Sequence, residues 1–192
     1  MHVDLTQQQL IIIAILVVAA IAVVAALIIH NRKTHKAALQ RRFGSEYDRA
    51  VAAHGSERKA ETALENRQKR VEKLNLRNLD PAERERFVER WKAVQLAFVD
   101  SPRGALTEAD DVISALMQAR GYPVADFEQR AADISVDHPR VTENYRAAHS
   151  VEERLRAGEA ATTEDMRTAM IHYRALFDEL VQPTVIERRD AA

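Results

Sequence analysis

Residues 10–29 read LIIIAILVVAAIAVVAALII and contain no polar atom in any side chain. A helix of these 20 residues spans about 30 Å, which is the thickness of the hydrocarbon core of a bilayer. Such a helix satisfies its backbone hydrogen bonds internally, so it can lie in lipid. The stretch therefore predicts a transmembrane helix at residues 10–29, near the start of a chain of 192 residues.

A cleaved signal peptide is the alternative interpretation of this stretch. Signal peptides carry a basic segment, then an apolar run of roughly 7–15 residues, then a cleavage site of small residues. Here the preceding segment, MHVDLTQQQ, has no Lys or Arg, and His30, Asn31, Arg32 and Lys33 follow the apolar run. The run is also longer than in signal peptides, so these features favour a retained anchor.

The charges beside the apolar stretch predict its orientation. Asp4 is the only charged residue before it, whereas residues 30–42 hold five basic residues and no acid. The five are Arg32, Lys33, Lys36, Arg41 and Arg42. Lys and Arg beside a transmembrane helix stay in the cytoplasm, so we expect residues 1–9 outside and residues 30–192 inside. In a bacterial cell the membrane would be the inner membrane. The basic cluster either sets this topology alone, which is the favoured interpretation, or also attracts anionic lipids. We expect membrane lipids to contact residues 10–42.

The composition indicates an all-α fold. Charged residues make up 30% of the chain and aromatic residues 5%, with five Gly and five Pro, whereas sheet sandwiches need many turns and many β-branched or aromatic residues. There is no Cys, which excludes disulfides and thiolate sites and fits a reducing compartment. Without Asp4 and the basic cluster, the net charge of −1 becomes −5 for residues 43–192. That acidic balance argues against nucleic acid as a partner.

Two short segments link the apolar stretch to the remaining helices. Ser45 is expected to open a short helix that ends at His54, and Ser56 to cap a charged helix over residues 57–76. The thin apolar stripe of the second helix suggests a stalk or a marginal coiled coil, and a solvated helix without a partner is the favoured interpretation. The predicted divisions are a short N-terminus at 1–9, the transmembrane helix at 10–29, a basic segment with linker helices at 30–79, a helical bundle at 80–183 and a flexible tail at 184–192.

The bundle is predicted from caps and apolar stripes. Asp80, Pro81 and Glu83 form an N-cap, a first helical residue and a capping box. Gly121 is expected to end one helix, and Thr162 or Thr163 to cap the last. Core positions at helical spacing are Phe87, Trp91, Val94 and Phe98, then Leu106, Ala109, Ile113, Leu116 and Met117, and finally Met166, Ala169, Met170, Tyr173, Leu176, Phe177 and Leu180.

No stretch matches a common catalytic motif. There is no Gly-rich phosphate loop, HExxH, GxSxG or EF-hand loop, and no two His are four residues apart. Asp137, His138, Glu143 and His149 form the one local group with metal-ligand chemistry, but a helix cap and a half-buried His explain it more simply. We therefore expect no catalytic residue, no metal site and no cofactor, and an acid–base enzyme is the least favoured function.

A second group lies at an irregular junction. Arg120, Tyr122 and Arg130 surround a Gly and a Pro, and His138 and Arg140 lie at the next turn. Irregular junctions often carry function, so these five residues are candidates for binding a ligand or a partner. The alternative is a helix–helix corner, in which Tyr122 packs and Arg130 pairs with Asp126 or Asp133.

Several segments resemble an uncharacterised family of small bacterial single-pass membrane proteins with a helical soluble domain, sometimes labelled secreted. They are RFGSEYDRA at residues 42–50, HGS at 54–56, RGYPVADFEQRAADISVDHPRVTENYRAAH at 120–149 and MRTAMIHYRALFDEL at 166–180. The resemblance covers most of residues 42–180. It implies a bacterial source and a tethered helical domain, and it brings no known activity, cofactor or catalytic residue.

These observations predict a non-enzymatic protein. We expect an anchored helical module at the cytoplasmic face that binds or scaffolds a protein partner. The alternative is a sensor for a small anionic ligand, with a pocket between helices at the five candidate residues. Ala22 and Ala26 form a small-xxx-small pair that permits close helix contact, so a weak homo-oligomer is a further expectation.

Overall fold

The computed structural model describes residues 7–183, and the side chains of residues 16–183. Within residues 7–183 the chain forms eight helices and no strand, so the predicted all-α class is confirmed. The helices are α1 (Gln7–Phe43), α2 (Ser45–His54), α3 (Glu57–Val71), α4 (Pro81–Asp100), α5 (Pro102–Ala119), α6 (Phe127–Asp137), α7 (Pro139–Arg156) and α8 (Thr163–Val181). The predicted tail at 184–192, and most of the predicted N-terminus at 1–9, lie outside the described residues.

The chain divides into two compact units, one ending at Arg41 and one beginning at Arg42. The first unit contains most of α1. Residues Leu16–Phe43 are long and apolar enough to cross a membrane, and no side chain of their most apolar window is buried. A signal sequence near an N-terminus passes the same test of helix length and apolar composition. The helix predicted at residues 10–29 is confirmed as part of α1.

In the second unit α5, α7 and α8 form the centre, and α4 covers α5. The α2–α3 pair packs against α6 and α7. The indole of Trp91 on α4 stacks on Phe177 of α8, with ring centroids 4.7 Å apart and an angle of 10° between the rings. Fully buried aliphatic side chains of the core include Leu106, Ile113, Leu116, Ile134, Leu176 and Leu180.

Most helix ends follow the predicted caps. The Asp80 side chain accepts a hydrogen bond from the Glu83 N–H while the Glu83 carboxylate accepts one from the Asp80 N–H, as in a capping box. Thr162 and Asp165 form the same arrangement at the start of α8. After α5, Gly121 has a φ of 95°, and a Cβ there would lie 2.4 Å from the Asn75 oxygen. This turn therefore requires glycine.

The prediction for α3 was wrong in two respects. The helix ends at Val71 rather than at residue 76. The segment that follows makes contacts with the core instead of continuing the helix: Leu79 is buried, and the Arg77 N–H donates to the Arg120 carbonyl. Helix α3 is also not a solvated helix: Ala60 and Leu64 are fully buried, and α3 packs on α2 and α6. The four-residue spacing of these two side chains places them on one face, and that narrow stripe suffices for packing.

Candidate functional site

Six polar side chains from four helices meet inside the bundle. On α7, the spacing of Tyr145, His149 and Glu152 by four and then three residues puts them on one face. That face is buried. The other members come from α5, α6 and α8. We call the set the Asp110 cluster, and it comprises Asp110, Arg130, Tyr145, His149, Glu152 and Tyr173.

Asp110 is the acceptor at the centre of this cluster. Arg130 Nη2 lies 3.3 Å from Asp110 Oδ2, and its Nε donates to the Tyr145 hydroxyl at 3.0 Å. The Tyr173 hydroxyl donates to Asp110 Oδ1 at 3.3 Å. These bonds tie α5, α6, α7 and α8 together through charged and phenolic groups in a buried setting, where each hydrogen bond is electrostatically stronger than in water.

His149 has an orientation fixed by its neighbours. Its ring stacks on Phe127 with centroids 3.6 Å apart. Its Nδ1 faces two carboxylates, 3.5 Å from Glu152 Oε2 and 3.9 Å from Asp110 Oδ1, and its Nε2 lies 3.5 Å from Glu153 Oε1. His149 Nδ1 and Glu152 Oε2 are both buried without a hydrogen-bond partner in the described structure.

Burial shifts the pKa of three members of this cluster upward. It raises the pKa of the Asp110 carboxyl, while the nearby Arg130 acts in the opposite direction. Burial also raises the pKa of the Tyr145 and Tyr173 phenols far above their usual range, and the Asp110 charge adds to both shifts. Both phenols therefore stay neutral, so neither adds a negative charge to the two carboxylates.

A second polar group, the Glu46 cluster, surrounds the buried Glu46 carboxylate and joins α2 and α3 to α6 and α7. It comprises Glu46, Arg67, Glu128, Ser135 and Arg146. The Arg146 guanidinium binds both Glu46 oxygens, at 2.7 and 3.2 Å, and Glu128 at 2.8 Å. Arg67 Nη1 donates to Glu46 at 3.3 Å and to Ser135 at 2.9 Å. Both oxygens of the buried carboxylate are therefore bonded.

Two of the five candidate residues from the sequence, Arg120 and His138, contact the end of α8, and a third, Tyr122, is buried near Arg120. Arg120 Nη1 donates to the carbonyls of Leu180 and Gln182, at 2.8 and 3.2 Å, so a cation meets the negative end of the helix dipole. His138 Nδ1 lies 3.0 Å from the Glu179 carboxylate. Burial raises the pKa of Tyr122, and Asp137 reinforces the shift.

The other two candidates lie elsewhere. Arg130 belongs to the Asp110 cluster, and Arg140 is exposed at the start of α7. The predicted pairing of Arg130 with Asp126 or Asp133 was wrong, because Asp126 caps α6 and Asp133 pairs with Arg70. The ligand or interaction role of the five residues stays a prediction.

The basic residues after the apolar stretch follow one another along the end of α1. Arg32, Lys33 and Arg41 are exposed, and Lys36 and Arg42 are half-buried. Their role at a membrane surface stays a prediction.

Sequence reasoning grouped His149 with the wrong neighbours. Asp137 is exposed, His138 bonds to Glu179, and Glu143 accepts from Ser45. Asp110 and Glu152 are the residues that face His149, and sequence reasoning did not identify them. Two signals point to them in retrospect. One is the His-x-x-Glu spacing on α7. The other is an acid within the apolar stripe of α5.

The chain has no match among known protein families, curated proteins or solved structures. The resemblance of residues 42–180 to a family of bacterial membrane proteins stays an expectation from the sequence.

Proposed function

We propose that the protein is a single-pass bacterial membrane protein whose helical unit, from Arg42 onward, acts at the cytoplasmic face as a protein-interaction or scaffold module. The observation that carries this proposal is the exposed apolar surface of α1. None of the side chains in its most apolar window is buried, and an exposed apolar surface of this size is stable in a lipid bilayer but not in water.

The orientation follows from the basic residues that follow the apolar run on α1. Five Lys or Arg lie in residues 30–42, and Asp4 is the only charged residue before residue 10. Cytoplasmic segments beside a transmembrane helix are enriched in Lys and Arg. A cytoplasmic location of the helical unit satisfies this rule, and it also suits a chain that has no cysteine.

The outer face of α4 supports an interaction role. Leu96 is 74% exposed and Val99 is 81% exposed, one turn apart on the same face. Lys92 and Asp100 lie one turn before and after Leu96, so the apolar strip has charged ends. An apolar centre with a polar rim is the usual anatomy of a protein–protein contact. The partner that we propose is therefore a protein.

Membrane topology tests the first half of the proposal. A reporter that is active in one compartment only is fused after Ala192 and examined in intact cells. We expect a cytoplasmic signal, and we expect the full-length mass in the membrane fraction. Replacement of the five basic residues by Gln, with two Lys added before residue 10, should redistribute the signal to the other side. A periplasmic signal from the unchanged chain, or a cleaved N-terminus, contradicts the proposal.

In-cell photo-crosslinking tests the second half. A photoreactive residue at position 96 should give one discrete adduct with another protein. Position 124 is the matched control, because Val124 is also 81% exposed but lies outside α4. An adduct of twice the chain mass identifies a second copy as the partner. Equal labelling from positions 96 and 124, or no adduct at 96, contradicts an interaction role for α4.

The sensor of a small anionic ligand is the second candidate. Arg120 already donates to two backbone carbonyls, and Arg130 is paired with Asp110. Because two of its three arginines are engaged inside the protein, we place the sensor after the interaction module. A screen of anionic metabolites by thermal unfolding distinguishes them. A stabilising shift that Arg130→Ala abolishes supports the sensor, and the absence of any such shift removes it.

A further inference from the structure

We propose that Asp110, His149 and Glu152 form a binding site for one divalent transition-metal ion, of which Zn²⁺ is the best probe. One ligand atom from each residue lies within 4.8 Å of the others, and all three side chains are buried. The inference is independent of the membrane topology and of the partner on α4.

The first argument is the pair of unsatisfied atoms. His149 Nδ1 and Glu152 Oε2 are buried without a hydrogen-bond partner, 3.5 Å apart. Buried polar atoms of this kind are rare in folded proteins, because leaving one unsatisfied costs about 1–3 kcal/mol. Both atoms point into the space that the third member, Asp110 Oδ1, reaches from 3.9 Å away. A bound cation satisfies the two unpartnered atoms together, and Asp110 Oδ1, which also accepts from the Tyr173 hydroxyl, supplies the third ligand.

The second argument is distance. Metal–ligand bonds of about 2.0–2.2 Å at a tetrahedral angle separate neighbouring ligand atoms by roughly 3.4 Å. The separations from His149 Nδ1, 3.5 Å to Glu152 and 3.9 Å to Asp110, are close to that value. They are also longer than a normal hydrogen bond. The third separation, between the Asp110 and Glu152 oxygens, is within 4.8 Å.

The third argument is the set of groups behind the ligands. Arg130 lies 3.3 Å from the other Asp110 oxygen, and Arg156 donates to the other Glu152 oxygen at 2.6 Å. Each arginine thus holds one carboxylate oxygen and leaves the other facing His149. Groups that orient the ligands in this way are a regular part of metal sites.

The imidazole is oriented in the same manner. The His149 Nε2 faces Glu153 Oε1 at 3.5 Å, and the ring stacks on Phe127. A carboxylate on the far nitrogen is the arrangement that metal-binding histidines show, because it fixes the tautomer with its lone pair toward the ion. The near nitrogen, Nδ1, is the unsatisfied one.

The ligand chemistry selects the class of ion. One imidazole nitrogen with two carboxylate oxygens suits Zn²⁺, Fe²⁺ or Mn²⁺, whereas Ca²⁺ and Mg²⁺ prefer oxygen ligands alone. The carboxylates of Asp110 and Glu152, whose ligand oxygens lie within 4.8 Å of each other, repel each other when both are charged. A dication between them removes that repulsion. Three protein ligands leave at least one coordination position for water or another small molecule.

Metal binding by the full chain tests the proposal. The protein is purified in detergent with an affinity tag that contains no His, is treated with chelator, and is titrated with Zn²⁺. We expect one Zn²⁺ per chain, a higher midpoint of thermal unfolding, and no displacement by a thousandfold excess of Mg²⁺. His149→Gln and Glu152→Gln should each lower the affinity at least about 100-fold.

Two matched controls separate the site from general effects of burial. His138→Gln removes another buried His that faces a carboxylate, and Asp133→Asn alters another buried acid. Both should keep the Zn²⁺ affinity within about threefold of the unchanged chain. Substoichiometric Zn²⁺, undiminished binding by His149→Gln, or an equal loss in His138→Gln overturns the proposal.

Cobalt provides a second measurement that needs no variant and so does not depend on the folding of any. Co²⁺ added to the unchanged chain should give visible d–d absorption of a site with nitrogen and oxygen ligands, which stoichiometric Zn²⁺ then removes. A spectrum equal to that of aqueous Co²⁺ overturns the proposal.

Discussion

The Glu46 cluster and the Asp110 cluster both bury carboxylates against α6 and α7, but they treat them differently. Both Glu46 oxygens are bonded to arginines. In the Asp110 cluster one oxygen of Glu152 and one nitrogen of His149 have no hydrogen-bond partner in the described structure. A satisfied buried ion pair fixes how helices dock, whereas unsatisfied buried atoms mark a place that is shaped for something else.

Phe127 lies between the two clusters. Its ring stacks on His149 on one side, and the Arg146 guanidinium lies 5.8 Å from its centroid. One side chain thus contacts a member of each cluster. The comparison can therefore be tested by removing Glu46, Phe127 and Glu152 one at a time.

The largest effect is expected for Glu46→Gln. The change leaves Arg67 and Arg146 without their buried counter-charge, although Arg146 keeps the exposed Glu128. Breaking a buried pair in this way costs about 3 kcal/mol, measured as the free energy of unfolding. Arg49→Gln is the control, because Arg49 also contacts Glu46 but is 60% exposed; it should cost at most about 0.5 kcal/mol. Equal losses in the two variants contradict a docking role for Glu46.

A smaller effect is expected for Phe127→Leu. Loss of the ring contacts should cost about 1–2 kcal/mol. The variant should also lower the Zn²⁺ affinity about tenfold, because the His149 ring loses its support. Phe98→Leu is the matched control: Phe98 is also half-buried against the core and should lose similar stability with unchanged Zn²⁺ affinity. If Phe98→Leu weakens Zn²⁺ binding as much, the link between Phe127 and His149 is wrong.

A still smaller effect is expected for Glu152→Gln in the absence of metal. Its bonded oxygen faces Arg156, which is 58% exposed, and exposed pairs contribute little. Its other oxygen has no partner to lose. We expect a change of at most about 1 kcal/mol in the free energy of unfolding, of either sign. A loss as large as that of Glu46→Gln would show that Glu152 is a structural ion pair, and the contrast between the clusters would disappear.

Local sequence patterns were enough to predict the helices. The two buried clusters, in contrast, are formed by contacts between residues that are far apart in the sequence. The Asp80–Glu83 cap and the Trp91–Val94 stripe involve residues within one turn of each other, so the order along the chain is enough to predict them. Arg146 and Glu46 are 100 positions apart. Nothing in the local spacing says which acid a given arginine meets after the helices pack.

The neighbours of His149 could not be predicted from local spacing for the same reason. Its stacking partner Phe127 and its facing acid Asp110 come from other helices, and only Glu152 is a neighbour along the chain. A search for His pairs four residues apart therefore could not detect the group. The charged helix α3 illustrates a different cause: Ala60 and Leu64 make a stripe too thin to predict packing, yet α2 and α6 cover it.

The smallest effect concerns Glu83, a half-buried carboxylate at the start of α4, which completes the comparison with the buried ones. The Arg77 guanidinium and the Asp80 N–H hold the pKa of Glu83 at about 2 in the folded chain. Because this pKa lies below the unfolded value, the contribution of Glu83 to stability is complete above about pH 5 and is lost as the pH falls toward 2. Glu83→Gln should therefore reduce the loss of thermal stability over that range. Glu85→Gln, an exposed acid on the same helix outside the capping box, should retain the full acid sensitivity of the unchanged chain. If the two variants respond to acid alike, the cap at α4 contributes nothing measurable, and acid sensitivity must arise in the buried clusters instead.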